Sequence, residues 1–500
     1  MKLKKLIDSL SGAVKVTGNA SLEIKGMSCD SKSVKEGYLF AALRGSRLNG
    51  EDFIDEAVDR GASAVLLQSS GEKVYRGGVT FIYAKDARSC LSQVCKAYYG
   101  DVSAQIRLLG ITGTNGKTTI TYLIESLFKS NNKPIGVIGT INYRFGERLI
   151  PATNTTPGIL DLHIILKAML KQRITNCAME VSSHSLEQGR VDSLLFDAAI
   201  FTNLTKEHMD YHKDMDSYLN AKLRLFTKIK EGGFAIVNAD DPASMRIMEK
   251  VRENKGINLM TYGIERRSDV MAGDIKFSFS GVRFSAAFRG DSVEIESSLI
   301  GRHNVYNLLA GFCAGLASGM KPPEIKSGLE ALKSLPGRLE RIDTDRGFSV
   351  YVDYAHTEDG MEKVLGALRE LRPIRLISVF GCGGDRDRTK RSGMGRISTA
   401  LSDKVFITSD NPRGEDPMAI IDEIKSGIGP DADNYEIEPD RFSAIRMALE
   451  YAREGDIVLV AGKGHETYQI FKNYTLPFDD REAVKKVLKE RKPCLQSGRS

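Results

Sequence analysis

A chain of 500 residues is too long to grow around one core, so length sets an expectation of roughly two to four domains, with about three as the middle figure. With 41% hydrophobic and 27% charged residues it has a globular composition, which excludes the disordered and fibrous classes. A formal net charge of +6 is mild for this length, and the sequence has neither a long basic tract nor paired aromatic RNA-binding motifs, so nucleic acid is not an expected partner.

Cys29, Cys90, Cys95, Cys177, Cys313, Cys382 and Cys494 are scattered and never spaced as C-x-x-C. That pattern argues against both a disulfide framework and a zinc site, and it fits a reducing cytoplasm. Lys2, Lys4 and Lys5 open the chain, but no apolar stretch with a cleavage site follows, and no run approaches the ~18 apolar residues of a membrane span. The expectation is a cytoplasmic protein with no membrane insertion.

The first hundred residues carry a short α/β pattern. Tyr38 to Leu43 reads as a strand and Asn49-Gly50 as a turn; Phe53, Ile54, Ala57 and Val58 share a helical face, and Ala64 to Leu67 reads as a second strand. From Ile106 the pattern becomes buried strand, glycine-rich loop and helix, with Ile120, Leu123, Ile124, Leu127 and Phe128 at amphipathic spacing. Ile135 to Ile138, Cys177 to Val181, Ala198 to Thr202 and Phe234 to Val237 read as further strands alternating with helices, the signature of a mostly parallel sheet. Leu335-Pro336-Gly337-Arg338 interrupts this alternation, and Val350 to Val352, Leu376 to Phe380 and Ile457 to Val460 mark a third unit. The predicted fold is α/β with three domains: a small N-terminal α/β domain at 1–103, a central P-loop-type domain at 104–336, and a Rossmann-like domain at 337–500.

Gly110 to Thr119, G-I-T-G-T-N-G-K-T-T, places strand, glycine loop and helix in the order a phosphate cradle needs. Backbone N–H groups of Gly113, Thr114, Asn115 and Gly116 and the helix N-terminus face the anion. Lys117 brings a point charge to the β/γ-phosphates, and Thr118 offers a hydroxyl to Mg²⁺. Ile111 stands where the usual motif has its first glycine. The loop implies a nucleoside triphosphate but does not choose between kinase, motor, GTPase and ligase.

Glu180 ends an apolar run at Cys177-Ala178-Met179, where open α/β sheets place Mg²⁺ chemistry, although an acid there also reads as a helix cap. His208 sits in the polar run after the next strand, and a solvated loop histidine is the plain alternative. Lys222 by itself reads as a helix lysine reaching for water.

The loop, E-V-S-S-H-S-L-E-Q-G-R at 180–190, T-N-L-T-K-E-H-M-D-Y-H at 202–212, Tyr218-Leu219-Asn220-Ala221-Lys222 and Asn238-Ala239-Asp240-Asp241 together resemble the Mur ligases. Asp353-Tyr354-Ala355-His356, G-C-G-G-D-R-D-R at 381–388, Asp410-Asn411-Pro412-Arg413 and Gly462-Lys463-Gly464-His465-Glu466 continue the resemblance over nearly the whole chain, closest in order to the branch that forms the tripeptide. The resemblance implies an ATP- and Mg²⁺-dependent ligase of peptidoglycan synthesis. In that reaction a substrate carboxylate takes the γ-phosphoryl group, and an amine displaces phosphate from the acyl-phosphate.

By the same resemblance, Thr118, Glu180, His208 and Lys222 hold Mg²⁺, Lys222 as a carbamate, with Lys117, Glu180, His208 and Lys222 as the catalytic set. Gly113 to Thr119 (including Thr119), Asn238, Arg338, Asp353 and His356 bind ATP. Cys29, Ser31, Ser46, Arg47, Leu48, Asn154, Thr155, Thr156, Ser182, Gln188 and Arg190 bind the UDP-linked muramoyl dipeptide, although serines and threonines of this kind also serve turns and caps. Arg386, Asp410, Asn411, Pro412, Arg413, Gly462 and Glu466 bind meso-diaminopimelate, the guanidinium of Arg413 forking onto its distal carboxylate; a turn-end surface charge is the alternative for Arg413. Nucleotide contacts from two domains imply a third domain that closes on the site. The partners implied are the small-molecule substrates, with a monomer as the expected state. An L-lysine-adding ligase, other Mur ligases, a folylpolyglutamate synthetase, a P-loop ATPase module and a non-catalytic sugar-nucleotide binder remain open alternatives.

Overall fold

The computed structural model describes residues 1–45, 48–68, 78–209 and 211–490; Ser46 and Arg47, expected at the nucleotide-sugar site, lie outside the described residues. Among them, each expected unit has its own sheet. In the N-terminal unit the strands Gly26–Ser28, Tyr38–Ala42, Ala62–Gln68 and Thr80–Ala84 run parallel, and Val14–Thr17 closes the edge antiparallel.

The central sheet is built around the strand Arg107–Thr112, which lies between Asn176–Glu180 on one side and Phe196–Phe201 on the other, both parallel to it. Ile229–Asn238 and Asn258–Gly263 extend the parallel region on the second flank, and Gly136–Ile138 extends it on the first. Strand order therefore reverses about the phosphate-loop strand, and the crevice at such a reversal is where open α/β sheets bind ligands.

The helix Lys117–Ser130 follows that strand because its apolar positions repeat on one face. Ile120, Leu123, Ile124, Leu127 and Phe128 are all buried, in one core with Ile111, Ile200 and Ile236 of the sheet and Leu308, Leu309 and Phe312 of the helix Arg302–Ala317. Each such side chain contributes about 1.5–3 kcal/mol relative to exposure, so the helix that presents Lys117 and Thr118 is rigidly seated.

The sequence reading placed no strand between Val237 and Val350. The structure adds Val270–Ser278, Gly281–Phe288 and Asp291–Ser297 as an antiparallel edge of the central sheet. These strands alternate buried and exposed residues, so one face meets solvent; parallel-sheet reasoning, which looks for continuous apolar runs, passes over them.

In the C-terminal unit Ser349–Asp353, Ile457–Ala461, Leu376–Phe380, Lys404–Ile407 and Tyr435–Ile437 are adjacent and parallel. Ile300 packs with Leu365, Ala367 and Leu368 of this unit, and Ile159 and Leu160 pack into the N-terminal core beside Leu39 and Leu91. No helix among the described residues is long and apolar enough to cross a membrane.

His163 marks the seam between the N-terminal and central units. Its Nε2 lies 2.7 Å from Ser193 Oγ, its ring stacks on Tyr99 at 6.1 Å, and Nδ1 has no partner among the described residues. Burial pushes the imidazole down from 6.5 to about 4, because charging it would strand a buried N–H. Between these two pH values the unfolded chain binds a proton that the folded chain refuses. The associated stability is therefore complete above about pH 6.5 and is lost as pH falls toward about 4. His163→Gln is expected to flatten the fall of the urea midpoint across this window; an unchanged slope contradicts the assignment.

Candidate active site at the domain junction

The phosphate loop turns at two glycines that no other residue could replace without strain. Gly113 has φ +142° and a Cβ there would lie 1.8 Å from Thr202 Oγ1; Gly116 has φ +89° and its Cβ would lie 2.4 Å from Asn307 Oδ1. The loop is pinned from the neighbouring strand end, with Asn203 Oδ1 accepting from Asn115 N at 3.0 Å and Thr202 Oγ1 donating to Asn115 O at 2.6 Å. Lys117 Nζ folds onto its own loop, donating to the carbonyls of Gly113 at 2.9 Å and Thr114 at 2.7 Å. Burial pushes its ammonium below the ordinary lysine range, while Glu207 and Glu180 pull the other way.

Glu180 ends its strand beside this loop. Its carboxylate accepts from the Thr118 hydroxyl at 2.9 Å and from Thr140 through the backbone N–H at 3.0 Å and the hydroxyl at 2.9 Å. A hydroxyl and a carboxylate at this spacing suit a hard cation that fills its remaining positions with water and phosphate oxygens, as Mg²⁺ does. Among the described residues no group of three His, Cys, Asp or Glu side chains is arranged to hold a metal. Thr118 and Glu180 therefore fit a cation shared with phosphate, not an all-protein cage.

Lys222, from the helix Met215–Phe226, is 1% exposed, and its Nζ lies 4.1 Å from the centre of the Tyr218 ring. Burial and the nearby Lys117 push its pKa far below that of an ordinary lysine, against the pull of Glu207. The amine is thus held toward its neutral, nucleophilic form. His208 adopts φ +59° and its Nε2 stands 3.8 Å from Glu207 Oε2, with the His184 ring edge-on at 4.9 Å.

Glu207 is the residue that sequence reasoning missed at the centre of the site. Burial alone would raise its carboxyl, but His208, Lys117, His356 and Lys222 surround it and hold it below the usual range. His356 comes from the C-terminal unit, with Nε2 3.9 Å from Glu207 Oε1 and Nδ1 2.8 Å from the Tyr354 carbonyl. Burial pushes its imidazole down to about 4. A second link crosses the same boundary: Asp359 Oδ2 accepts from Asn115 Nδ2 at 2.6 Å, Thr205 Oγ1 at 3.2 Å and Lys363 Nζ at 2.8 Å. Asn304 and Asn307 were also overlooked. Asn307 Nδ2 donates to Asn304 Oδ1 at 2.9 Å, and their i, i+3 spacing near the start of a helix was a usable signal.

Two cavities meet here. One, of about 680 Å³, is lined by Gly113 to Thr119, Lys222, Asn238, Arg338 and Asp353; the other, of about 1080 Å³, by Asn154, Thr155, Ser182, Arg190, Arg386, Asp410, Asn411, Arg413, Gly462 and Glu466. Glu207, His208, Tyr354 and His356 line both, so the cavities are adjacent and share this wall.

Several expected contacts are already engaged. Asn238 donates to Thr202 O at 2.8 Å and accepts from Asp240 N at 3.1 Å, and Asp353 accepts from the N–H groups of Leu339 at 2.6 Å and Ala355 at 2.7 Å. Both fix loops at the cavity wall. Arg338 lies over the Tyr354 ring at 4.8 Å. Arg190 grips Gln188 Oε1 at 2.7 Å and the Thr156 carbonyl at 2.8 Å, and the Thr156 hydroxyl donates to Glu180 O at 2.9 Å. Cys29, Ser31 and Leu48 belong to the N-terminal unit and do not border the larger cavity. Ser31 instead donates to Glu56 Oε2 at 2.7 Å, and Leu48 is 66% exposed.

In the C-terminal unit the expected amino-acid residues stand at the ends of adjacent parallel strands. Asn411 Nδ2 donates to Glu466 Oε2 at 2.8 Å, Lys463 Nζ approaches the same oxygen at 3.3 Å, and Arg413 Nη1 donates to Gly384 O at 2.8 Å. Gly462 has φ +115°, and a Cβ there would meet Asp410 Oδ2 at 2.7 Å. Pro412 shares the Asp410 to Arg413 loop.

Residues 23–99, 111–315 and 337–464 match, in turn, the Mur ligase family catalytic domain, the Mur ligase middle domain and the Mur ligase glutamate ligase domain. The chain therefore belongs to the Mur ligases, a family of three-domain α/β proteins. It is 43% identical over 494 residues to the UDP-N-acetylmuramoyl-L-alanyl-D-glutamate–2,6-diaminopimelate ligase of Geobacter metallireducens, covering 95% of this chain and 96% of that one. To the ligase of the same name from Clostridium tetani it is 40% identical, covering 98% of this chain and all of the relative. A solved structure of a ligase of that name superposes with a TM-score of 0.68 at 33% identity over 93% of this chain and 95% of its own. The folylpolyglutamate synthase of Mycobacterium tuberculosis, at 16% identity and a TM-score of 0.63 over 80% of this chain and 94% of its own, shares the fold.

Lys117→Ala is expected to slow ATP turnover by about 10²–10³-fold, the usual cost of removing one charge-stabilising group from a preorganised site. Phosphate release at the wild-type rate would remove the phosphate role of this loop.

Proposed function

We propose that this protein is an ATP-dependent, ADP-forming ligase that adds meso-diaminopimelate to UDP-N-acetylmuramoyl-L-Ala-D-Glu in peptidoglycan synthesis. The observation that supports the reading is that the two cavities share Glu207, His208 and His356 in their walls, so the glycine loop at 113–119 and the loops of Arg386 and Arg413 border adjoining spaces.

The loop N–H groups and Lys117 hold the β/γ-phosphates while the dipeptide's terminal carboxylate attacks the γ-phosphorus; the P–O bond to ADP breaks as the acyl-phosphate forms. The amine then attacks the acyl carbon, phosphate departs with the C–O electron pair, and the nitrogen gives up a proton as the amide forms. Thr118, Glu180, His208 and Lys222 as its carbamate would hold Mg²⁺. When bound, Mg²⁺ supplies charge neutralisation at the phosphates. A neutral Lys222 amine is the form that adds CO₂, giving a carbamate and releasing a proton, which turns a costly buried cation into an anion suited to the cation site. Asn154, Thr155, Ser182 and Arg190 offer amide, hydroxyl and guanidinium groups to the anionic nucleotide-sugar substrate.

Specificity for the incoming amino acid rests on Arg413, Arg386 and Glu466. A two-headed amino acid offers a distal carboxylate to the planar Arg413 fork and a distal ammonium to Glu466, while Arg386 takes the other carboxylate. L-Lysine lacks the distal carboxylate and would leave Arg413 desolvated and unpaired, a deficit that such sites reject by roughly 10⁴-fold. In a coupled ADP-release assay meso-diaminopimelate should therefore be used far better than L-lysine, and Arg413→Ala should raise its KM without changing that for ATP; equal use of the two amino acids would reverse the specificity. Lys222→Ala should be nearly inactive and partly rescued by short carboxylates, and full activity in that variant would sink the carbamate role.

A further inference from the structure

Two loops carry the guanidinium groups of the proposed amino-acid subsite: Gly381 to Arg388, holding Arg386, and Asp410 to Glu415, holding Arg413. Both are irregular, and Arg413 itself has φ +54°. Irregular loops hold two charges at a fixed separation only when something cross-braces them. Arg391, on the first turn of the helix Lys390–Leu401, lies beneath both and is fully buried.

Its guanidinium makes a two-bond fork on Glu415, Nη1 to Oε2 at 2.9 Å and Nη2 to Oε1 at 2.8 Å, while Nη1 also reaches Glu423 Oε2 at 2.8 Å and Nη2 reaches the Gly383 carbonyl at 3.2 Å. Glu415 Oε1 accepts in addition from the backbone N–H of Asp385 at 2.6 Å. One ion pair thus grips the first loop at Gly383 and Asp385 and the second through Glu415. The tie between the loops continues outward, with Arg413 Nη1 on Gly384 O at 2.8 Å and Gly414 N on Asp385 Oδ2 at 3.0 Å.

We propose that Arg391 and Glu415 are positioning residues: they form a clamp, buried at Arg391, that sets the separation of Arg386 and Arg413, and so tune the subsite to an amino acid with two carboxylates. The clamp rests on the diaminopimelate reading above. Stability alone is a weak reason to keep such a pair, since replacing buried ion pairs with apolar groups is often neutral or stabilising. Its four contacts in the two loops give geometry, which apolar packing would not supply with the same directionality. The fork holds the Glu415 carboxyl down at about 2, so the clamp stays charged throughout the working pH range.

The test uses the full-length enzyme in the ADP-release assay with the variants E415Q, R391M and R413A and the double variant E415Q/R413A. Glutamine keeps the volume of Glu415 and loses the charge, and thermal melting checks that each variant folds. E415Q and R391M are expected to raise the KM for meso-diaminopimelate by about 10-fold or more while the KM values for ATP and the nucleotide substrate stay within about 2-fold. Because the clamp acts through Arg413, adding E415Q to R413A should change the KM by less than about 3-fold, the non-additivity of coupled positions. A purely structural role would move all three KM values and the melting temperature together, or add independently to R413A; either outcome overturns the clamp. A diaminopimelate KM unchanged in E415Q, beside a raised one in R413A, also overturns it and leaves the subsite standing. No effect of R413A itself defeats the underlying reading instead.

Discussion

The site is organised around one partly buried carboxylate among basic groups. Glu207 faces His208 and Lys222 from its own unit, Lys117 from the phosphate loop and His356 from the C-terminal unit. Taking a charge out of water is tolerable only with compensating partners, so Glu207 requires these groups to converge. Three of them are in turn held off their ordinary protonation balance by burial, Lys117 and Lys222 toward the neutral amine and His356 toward the neutral ring. A set of groups with displaced pKa values in a cleft is what acyl and phosphoryl transfer need.

The convergence follows from two parallel sheets whose strand ends face each other. In the central sheet the loops after Thr112, Glu180, Phe201 and Asn238 leave from neighbouring strands; in the C-terminal sheet the loops after Asp353, Phe380, Ile407 and Ala461 do the same. Asp359 fastens the two sets by bonding Asn115 of the phosphate loop and Thr205 beside it. The two sets of loops are thereby related through a few polar contacts, and apolar packing such as Ile300 against Leu365 and Leu368 supplies the rest. A polar boundary of this kind can part and re-form at lower cost than a core.

Farther from the glycine loop, the loops of the C-terminal unit are braced from beneath. The fully buried Arg441–Asp480 pair holds the carbonyls of Ser409 and Ala461 next to the Asp410 and Gly462 loops, and Arg391 holds the Gly383 carbonyl and the Glu415 carboxylate. Loops at the surface of the cleft are therefore held by side chains that lie beneath it.

The sequence by itself determined whatever depends on short-range order. The strand, glycine loop and helix from Arg107 to Ser130 were legible because the apolar face and the glycines are local features, and Glu180 was legible because it closes an apolar strand. The mostly parallel α/β class followed from alternating strands and helices, and the family from ordered motifs. Tertiary structure alone decided which distant residues share a charge. Glu207 stands next to His208 in sequence, yet its importance comes from Lys117 and His356, and Asn115 meets Asp359 across a separation of 244 residues. The solvent-facing strands from Val270 to Ser297 escaped because their half-buried alternation does not say which sheet they join. The engagement of Ser31 with Glu56 and of Asn238 with Thr202 was equally hidden, since a polar side chain announces its capacity to bond in sequence but finds its partner only when the chain has folded.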